Sequence, residues 1–203
     1  MSLSALARLT EFSYAEELPF RDTDGIFSFY VLMSGHAKLI YQKHDFFPVR
    51  ICGPGDILGY GEWNSKYSHR AESLDDVRAW CIPRIPFQKL LHTSPNLQEC
   101  IIKVLCDVIS IKDERISALE NHSVSNRVAS VLLSFSQKFG KETEEGLYID
   151  LKIDRETMAK LAGTVTESLS RQLSELEEEK IILRKGRSIL IKNRHKLELK
   201  TRI

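Results

Sequence analysis

The sequence predicts an α+β chain in three parts: a small double-stranded β-roll, one long helix, and a C-terminal helix-turn-helix with a β wing. Three observations predict it. All six prolines lie at or before Pro95, and six of the ten glycines at or before Gly61, so turn-forming residues crowd the first half of the chain. Beyond Pro95, apolar residues recur at helical spacing with no further proline. From Asp154 onward, two short helical patterns flank a glycine and run into an alternating segment. The expected divisions are 1–94 for the roll, 95–121 for the long helix and 122–203 for the C-terminal domain.

In the first part, Phe27-Ser-Phe-Tyr-Val-Leu-Met33 leads through Ser34-Gly35 into Ala37-Lys-Leu-Ile-Tyr41. Val49-Arg-Ile-Cys52 leads into Gly53-Pro-Gly-Asp56, and Val77-Arg-Ala-Trp-Cys-Ile82 follows. Short β-type runs at even spacing with turn residues between them indicate a small barrel or sandwich.

A helix is predicted over 95–120. Leu97, Ile101, Val104, Val108, Ile111 and Ala118 form one apolar stripe. Ile102, Leu105, Ile109, Ile116 and Leu119 form a second beside it. One stripe is enough to cover a helix's own domain; two imply a further partner, most simply a second copy of the chain in a coiled coil. The first stripe is assigned to that dimer seam. The alternative is a helix buried within one subunit. A further helix over 125–139 would turn Val128, Val131, Leu132 and Phe135 inward, residues 140–146 read as a charged loop, and 147–153 alternates as a strand.

Asp154 can cap the first helix of the C-terminal motif. Met158, Leu161 and Ala162 would face inward, and Gly163 stands where the chain must turn, glycine alone taking positive φ without steric cost. Thr164 or Thr166 can cap the second helix, with Val165, Leu169, Leu173 and Leu176 packing it on the first. That turns Thr166, Glu167, Ser170, Arg171 and Ser174 outward. A carboxylate can accept from cytosine N4, and a guanidinium can grip guanine O6 and N7. Glu167 and Arg171, four apart, therefore suit a base-reading face; a surface ion pair is the plainer alternative. Ile181 to Ile191 alternates around Lys185-Gly186 as the wing.

Charge agrees. The chain carries 29 Lys and Arg against 28 Asp and Glu. Residues 150–203 hold 13 against 9, leaving 16 against 19 elsewhere. A basic C-terminal part on a mildly acidic body suits a polyanionic partner. No apolar run is long enough to cross a bilayer, and the start of the chain lacks signal-peptide character. A cytoplasmic protein without a membrane partner is expected. Cys52, Cys81, Cys100 and Cys106 form no CxxC pair; Cys100 and Cys106 read as small buried hydrophobes. No His-x-His cluster, phosphate loop or nucleophile signature is present, so an enzyme is not expected.

The order of parts resembles the CRP/FNR family of bacterial transcription regulators over nearly the whole chain. The marks are Gly53-Pro-Gly-Asp-Ile-Leu-Gly59, Cys81-Ile-Pro83 and Leu161-Ala-Gly-Thr-Val-Thr-Glu-Ser-Leu-Ser-Arg171. The resemblance implies a cyclic-nucleotide-binding-like jelly roll for the first part. It implies a cytoplasmic homodimer on double-stranded DNA, with RNA polymerase as a further partner. Glu167, Ser170 and Arg171 match the FNR-branch pattern Glu-x-x-Ser-Arg, with Thr166 where the cyclic-AMP branch carries another arginine. That implies a palindrome of TTGA-type half-sites. Arg155, Lys180, Arg184, Lys185 and Arg187 are the expected phosphate contacts.

The family's cyclic-AMP binders use a Gly-Glu pair and a later arginine. Here Tyr60 follows Gly59; Glu62 and Arg70 are the remaining candidates, so the resemblance disfavours a cyclic nucleotide and leaves Gly59, Tyr60, Glu62 and Arg70 as effector residues. An iron–sulfur cluster lacks the N-terminal cysteines it needs, no cofactor or metal ligand set is assigned, and haem would have to use His36, His44 or His69. The alternatives are a cyclic-nucleotide-responsive regulator, or a ligand-binding roll whose winged helix does not read DNA.

Overall fold

The computed structural model describes residues 7–21, 25, 27–41, 47–60, 69–150 and 153–201. These form two compact units, 1–111 and 112–203. The dividing line falls inside the long helix rather than at either of its ends.

Unit 1 is an antiparallel roll. One four-stranded sheet has the order β1-β8-β3-β6, from β1 (Arg8–Phe12), β8 (Val77–Pro83), β3 (Ser28–Ser34) and β6 (Ile57–Leu58). The other has the order β2-β7-β4-β5, from β2 (Glu17–Leu18), β7 (His69–Ser73), β4 (Ala37–Tyr41) and β5 (Phe47–Cys52). Alternate residues of both sheets meet in one core that includes Leu18, Tyr30, Leu32, Leu39, Cys52, Leu58, Ala71 and Cys81. The roll strands read from the sequence all appear, each within two residues of its expected ends.

Helix α1 (Arg84–Thr93) follows Pro83, and α2 runs from Pro95 to Asn121. Here the stripe assigned to the dimer seam needs correction. Leu97 and Ile101 pack against Phe29, Ile82 and Phe87 of the roll side, and Val108 is buried. This stripe covers its own unit because α1 and the end of β8 leave Phe29, Ile82 and Phe87 to be sealed. The open apolar face is the second stripe: Ile102, Ile109 and Ile116 are each more than half exposed, with Leu105 and Leu119 beside them. Ile111 is also exposed, while Val104 and Ala118 are half-buried. Cys100 and Cys106 are exposed rather than buried, since both fall off the packed stripe.

Unit 2 takes in the rest of α2, then α3 (Val124–Phe139), α4 (Arg155–Leu161), α5 (Thr166–Glu178) and α6 (Arg194–Leu199). Ser123 caps α3: the Asn126 N–H donates to its Oγ at 3.2 Å, and its own N–H donates to Asn126 Oδ1 at 3.1 Å. Residues 140–146, expected as a loop, instead form β9 (Gly140–Thr143) and a turn into β10 (Gly146–Ile149). The strand expected over 147–153 is therefore shorter, and residues 151–152 lie outside the described ones. The wing strands β11 (Ile182–Lys185) and β12 (Ser188–Ile191) join this pair in one sheet, β11-β12-β10-β9. The wing is thus anchored on a strand that precedes the helix-turn-helix.

Candidate nucleic-acid interface

Helix α4 begins as the sequence indicates. Asp154 Oδ1 accepts from the Thr157 N–H at 2.7 Å, and Oδ2 accepts from the Thr157 hydroxyl at 2.9 Å. Gly163 has φ +62 and packs so closely on Leu119 that a Cβ would collide with it. Helix α5 starts differently from expectation. Its N-cap is Val165, which is 60% exposed and offers no side-chain acceptor. Neither Thr164 nor Thr166 caps it, because the turn runs one residue past Thr164 and leaves Thr166 already helical. The first N–H groups of α5 are therefore uncapped, and they carry the positive end of the helix dipole.

Leu169, Leu173 and Leu176 are buried at 0–3% exposure and hold α5 down. Each such leucine contributes about 1.5–3 kcal/mol through burial. The opposite face is polar: Glu167, Ser170 and Arg171 are exposed, and Thr166 and Ser174 half-exposed. Among the described residues Glu167 and Arg171 make neither a hydrogen bond nor an ion pair. Three other pairs at the same spacing do close, Glu99–Lys103, Glu156–Lys160 and Glu198–Arg194. The plain ion-pair alternative is thus not realised on this face, and both side chains are left to external partners.

The expected phosphate contacts divide into two sets. Glu177 on α5 accepts from the Arg184 backbone N–H at 2.8 Å and from Arg184 Nε at 2.6 Å, and its Oε2 is ion-paired with Arg184 Nη2 at 2.6 Å. Those bonds hold the Glu177 carboxyl below the usual carboxylate range, the backbone bond first and the guanidinium next. Arg184 is therefore a tie between wing and reading helix rather than a free cation. Lys185 is paired with Glu145 of the β9–β10 turn at 2.8 Å. Arg155 is half-buried, and burial first, then repulsion from Arg184, lowers its pKa from the ordinary arginine value. Arg187 at the wing tip and Lys180 after α5 are exposed and unpaired among the described residues.

Lys180 has φ +58. The Lys180 N–H donates to Glu177 O at 3.0 Å and the Ile181 N–H to Leu176 O at 2.9 Å, which closes α5 in a Schellman motif. A lysine thus occupies the left-handed position that usually takes glycine.

In the roll, Gly59 has φ +91 and lies so near the Ser28 carbonyl that a Cβ would come within 2.8 Å of it. Tyr60 is half-buried, and burial raises the pKa of its hydroxyl. Arg70 faces Glu72 at 3.5 Å and Glu17 at 3.8 Å, so it is not the free cation that a nucleotide phosphate needs. Glu62 lies outside the described residues, as does His44. His36 is bonded to Asp75, and His69 stands against the Tyr41 ring. The sequence reading missed Arg50, whose Nε donates to Cys52 Sγ at 3.3 Å beside Asp56. Burial lowers the Arg50 pKa, but Cys52 and Asp56 outweigh it and hold the group above its ordinary value. It also missed Arg115, Arg127 and Glu177, whose partners lie far along the chain or across a helix end.

Comparison with known proteins agrees with both units. The family model of the cyclic nucleotide-binding domain matches residues 13–94, and that of the Crp-like helix-turn-helix domain matches residues 126–199. The global nitrogen regulator of Synechococcus elongatus is 26% identical over 75% of this chain and 72% of its own length. The CRP-like cAMP-activated global transcriptional regulator of Mycobacterium tuberculosis is 25% identical over 85% of this chain and 79% of its own. The structure of FixK2 from Bradyrhizobium japonicum superposes with a TM-score of 0.81 at 20% identity, covering 97% of this chain and 98% of that one.

A roll followed by a helix-turn-helix with an open polar face defines a DNA-binding regulator. The chain belongs to the CRP/FNR family of transcription regulators.

Proposed function

We propose that this regulator acts as a cytoplasmic homodimer on a palindrome of TTGA-type half-sites, without catalysing a reaction. Thr166, Glu167, Ser170 and Arg171 read the bases, while Arg155, Lys180 and Arg187 hold phosphates; Arg184 and Lys185 reach phosphates only if they leave their carboxylates. The observation that carries this reading is the pair Glu167 and Arg171, unpaired on the exposed face of a helix whose other face is buried. The open stripe Ile102, Leu105, Ile109, Ile116 and Leu119 supplies the seam in place of the first stripe. A two-fold dimer sets two reading helices about one DNA turn apart. RNA polymerase is the further partner that a regulator of this kind engages, and no helix among the described residues is long and apolar enough to cross a membrane.

The roll carries the control. Any effector acts by binding one of two states of the dimer better than the other. Gly59 and Tyr60 remain its candidate contacts, with Glu62. A cyclic nucleotide is disfavoured because its phosphate would have to displace two carboxylates from Arg70.

The test is a gel-shift titration of the full chain on a TTGA-type palindrome against a scrambled duplex. Arg171→Ala is expected to lower discrimination at the contacted guanine by about 1–3 kcal/mol. Equal binding by the variant and the wild type removes Arg171 from the reading face.

A further inference from the structure

Helix α4 has only seven residues, Arg155–Leu161, and is too short to be stable by itself. Its C-terminal carbonyls need donors, and the sharp turn at Gly163 supplies few. The Gly163 N–H donates to Lys160 O at 3.1 Å and the Thr164 N–H to Ala159 O at 2.9 Å. The carbonyls of Ala162 and Gly163 have no backbone donor among the described residues. Both are taken by one side chain. Arg127, on the first turn of α3, donates from Nε to Ala162 O at 2.9 Å and from Nη2 to Gly163 O at 3.0 Å. Its Nη1 donates to His122 O at 2.6 Å, just beyond the end of α2. A second arginine, Arg115 on α2, donates from Nη2 to Lys160 O at 3.0 Å. Leu119, one turn further along α2, fills the space over Gly163.

We propose that Arg127, with Arg115, is a positioning clamp for DNA reading: it fixes the turn before α5 to the end of α2, so that the reading helix takes its orientation from that helix. Only a guanidinium suits the task. Its rigid fork reaches three carbonyls on two segments at once, whereas an ammonium is a point charge that can serve one or two. The positive charge also stands at the negative end of the α4 dipole. Neither arginine is among the cations assigned to phosphate, and Arg127 has its donors turned to backbone oxygens. The clamp therefore governs discrimination between sequences and not the general attraction to a polyanion. This inference rests on the proposed reading of DNA by α5.

The experiment uses the full chain, Arg127→Lys and Arg115→Gln, with binding measured to the TTGA-type palindrome and to a scrambled duplex over a range of salt. Each variant is expected to lose about tenfold in the ratio of palindrome to scrambled affinity, as befits the loss of charge-assisted hydrogen bonds. Scrambled binding and its salt slope stay as in the wild type, because no phosphate contact is removed. Hydrogen exchange at the Gly163 and Thr164 amides quickens in both variants. An unchanged ratio overturns the clamp. So does a fall in scrambled affinity and salt slope, which would make these arginines phosphate contacts. Should Arg127→Lys fail to fold, Arg115→Gln, which removes the guanidinium of a half-exposed side chain from Lys160 O, decides alone. If the wild type itself does not discriminate, the reading of DNA by α5 fails; the clamp is then judged by exchange at the two amides, and unchanged exchange overturns it.

Discussion

At the scale of single residues, the wing and the reading helix meet at one carboxylate. Glu177 accepts two hydrogen bonds from Arg184 and pairs with its guanidinium, and its folded pKa lies below the unfolded carboxylate value of about 4.3. A lowered carboxylate pKa contributes stability that is complete above the unfolded value and vanishes as the pH falls through the folded one. Wild type and Glu177→Gln are therefore expected to differ in urea stability at pH 7 and to converge below about pH 4. Parallel curves over that interval would show that the bond does not couple to folding. Lys180 gives a second case. Its left-handed backbone costs an L-residue roughly 1 kcal/mol, so Lys180→Gly should raise the melting temperature while lowering DNA affinity and flattening the salt dependence. A gain in stability with an unaltered salt slope would mean that this lysine touches no phosphate. The inward leucines of α5 and the cap at Asp154 were legible in the sequence because both follow from spacing within one turn. Val165 was not: its apolar character suggests packing, yet it falls on the single residue between turn and helix, where the chain points it to solvent.

At the scale of elements, periodicity located α2 to within a residue and showed that it bears two apolar stripes. It did not show which stripe meets the roll. That choice depends on Phe29, Ile82 and Phe87, brought together by strand pairing and α1, and no local pattern records it. The apolar stripe left open is Ile102, Leu105, Ile109, Ile116 and Leu119, the proposed seam. Ile109→Asp is expected to convert the dimer to monomer in sedimentation at micromolar concentration and leave the thermal unfolding of the roll intact, since the side chain is 57% exposed in the subunit. A dimer that persists would move the interface elsewhere. The wing was legible for its alternation and for Gly186, but its partner β9 was not, because Gly140–Thr143 is charged and three of its four residues stay exposed. The basic wing likewise looked like a row of free cations. The structure commits Arg184 and Lys185 to carboxylates on other elements, a cancellation that a count of charges cannot reveal.

At the scale of the whole molecule, the order of roll, long helix and winged helix-turn-helix was readable from where proline and glycine stop and where helical spacing begins. The boundary between compact units was not. It falls at 111/112, inside a continuous α2, because the first half of that helix seals the roll and the second half carries Arg115 and Leu119 to the α4–α5 turn. Each unit thus includes a part of α2.

A helix advances about 100° per residue, so the length of α2 sets an angular phase along that helix. One alanine inserted after Ile111 would shift the phase of the rest of α2 by that angle, which is expected to disturb the pairing of reading helices in the proposed dimer. Seven inserted residues nearly complete two revolutions, which restores the phase while lengthening the helix by about 10 Å. Palindrome binding should accordingly collapse with the single insertion and return in part with seven, on sites of altered spacing selected from a randomised pool. Equal loss for both insertions would mean that angular phase along α2 is not what aims this protein at its DNA.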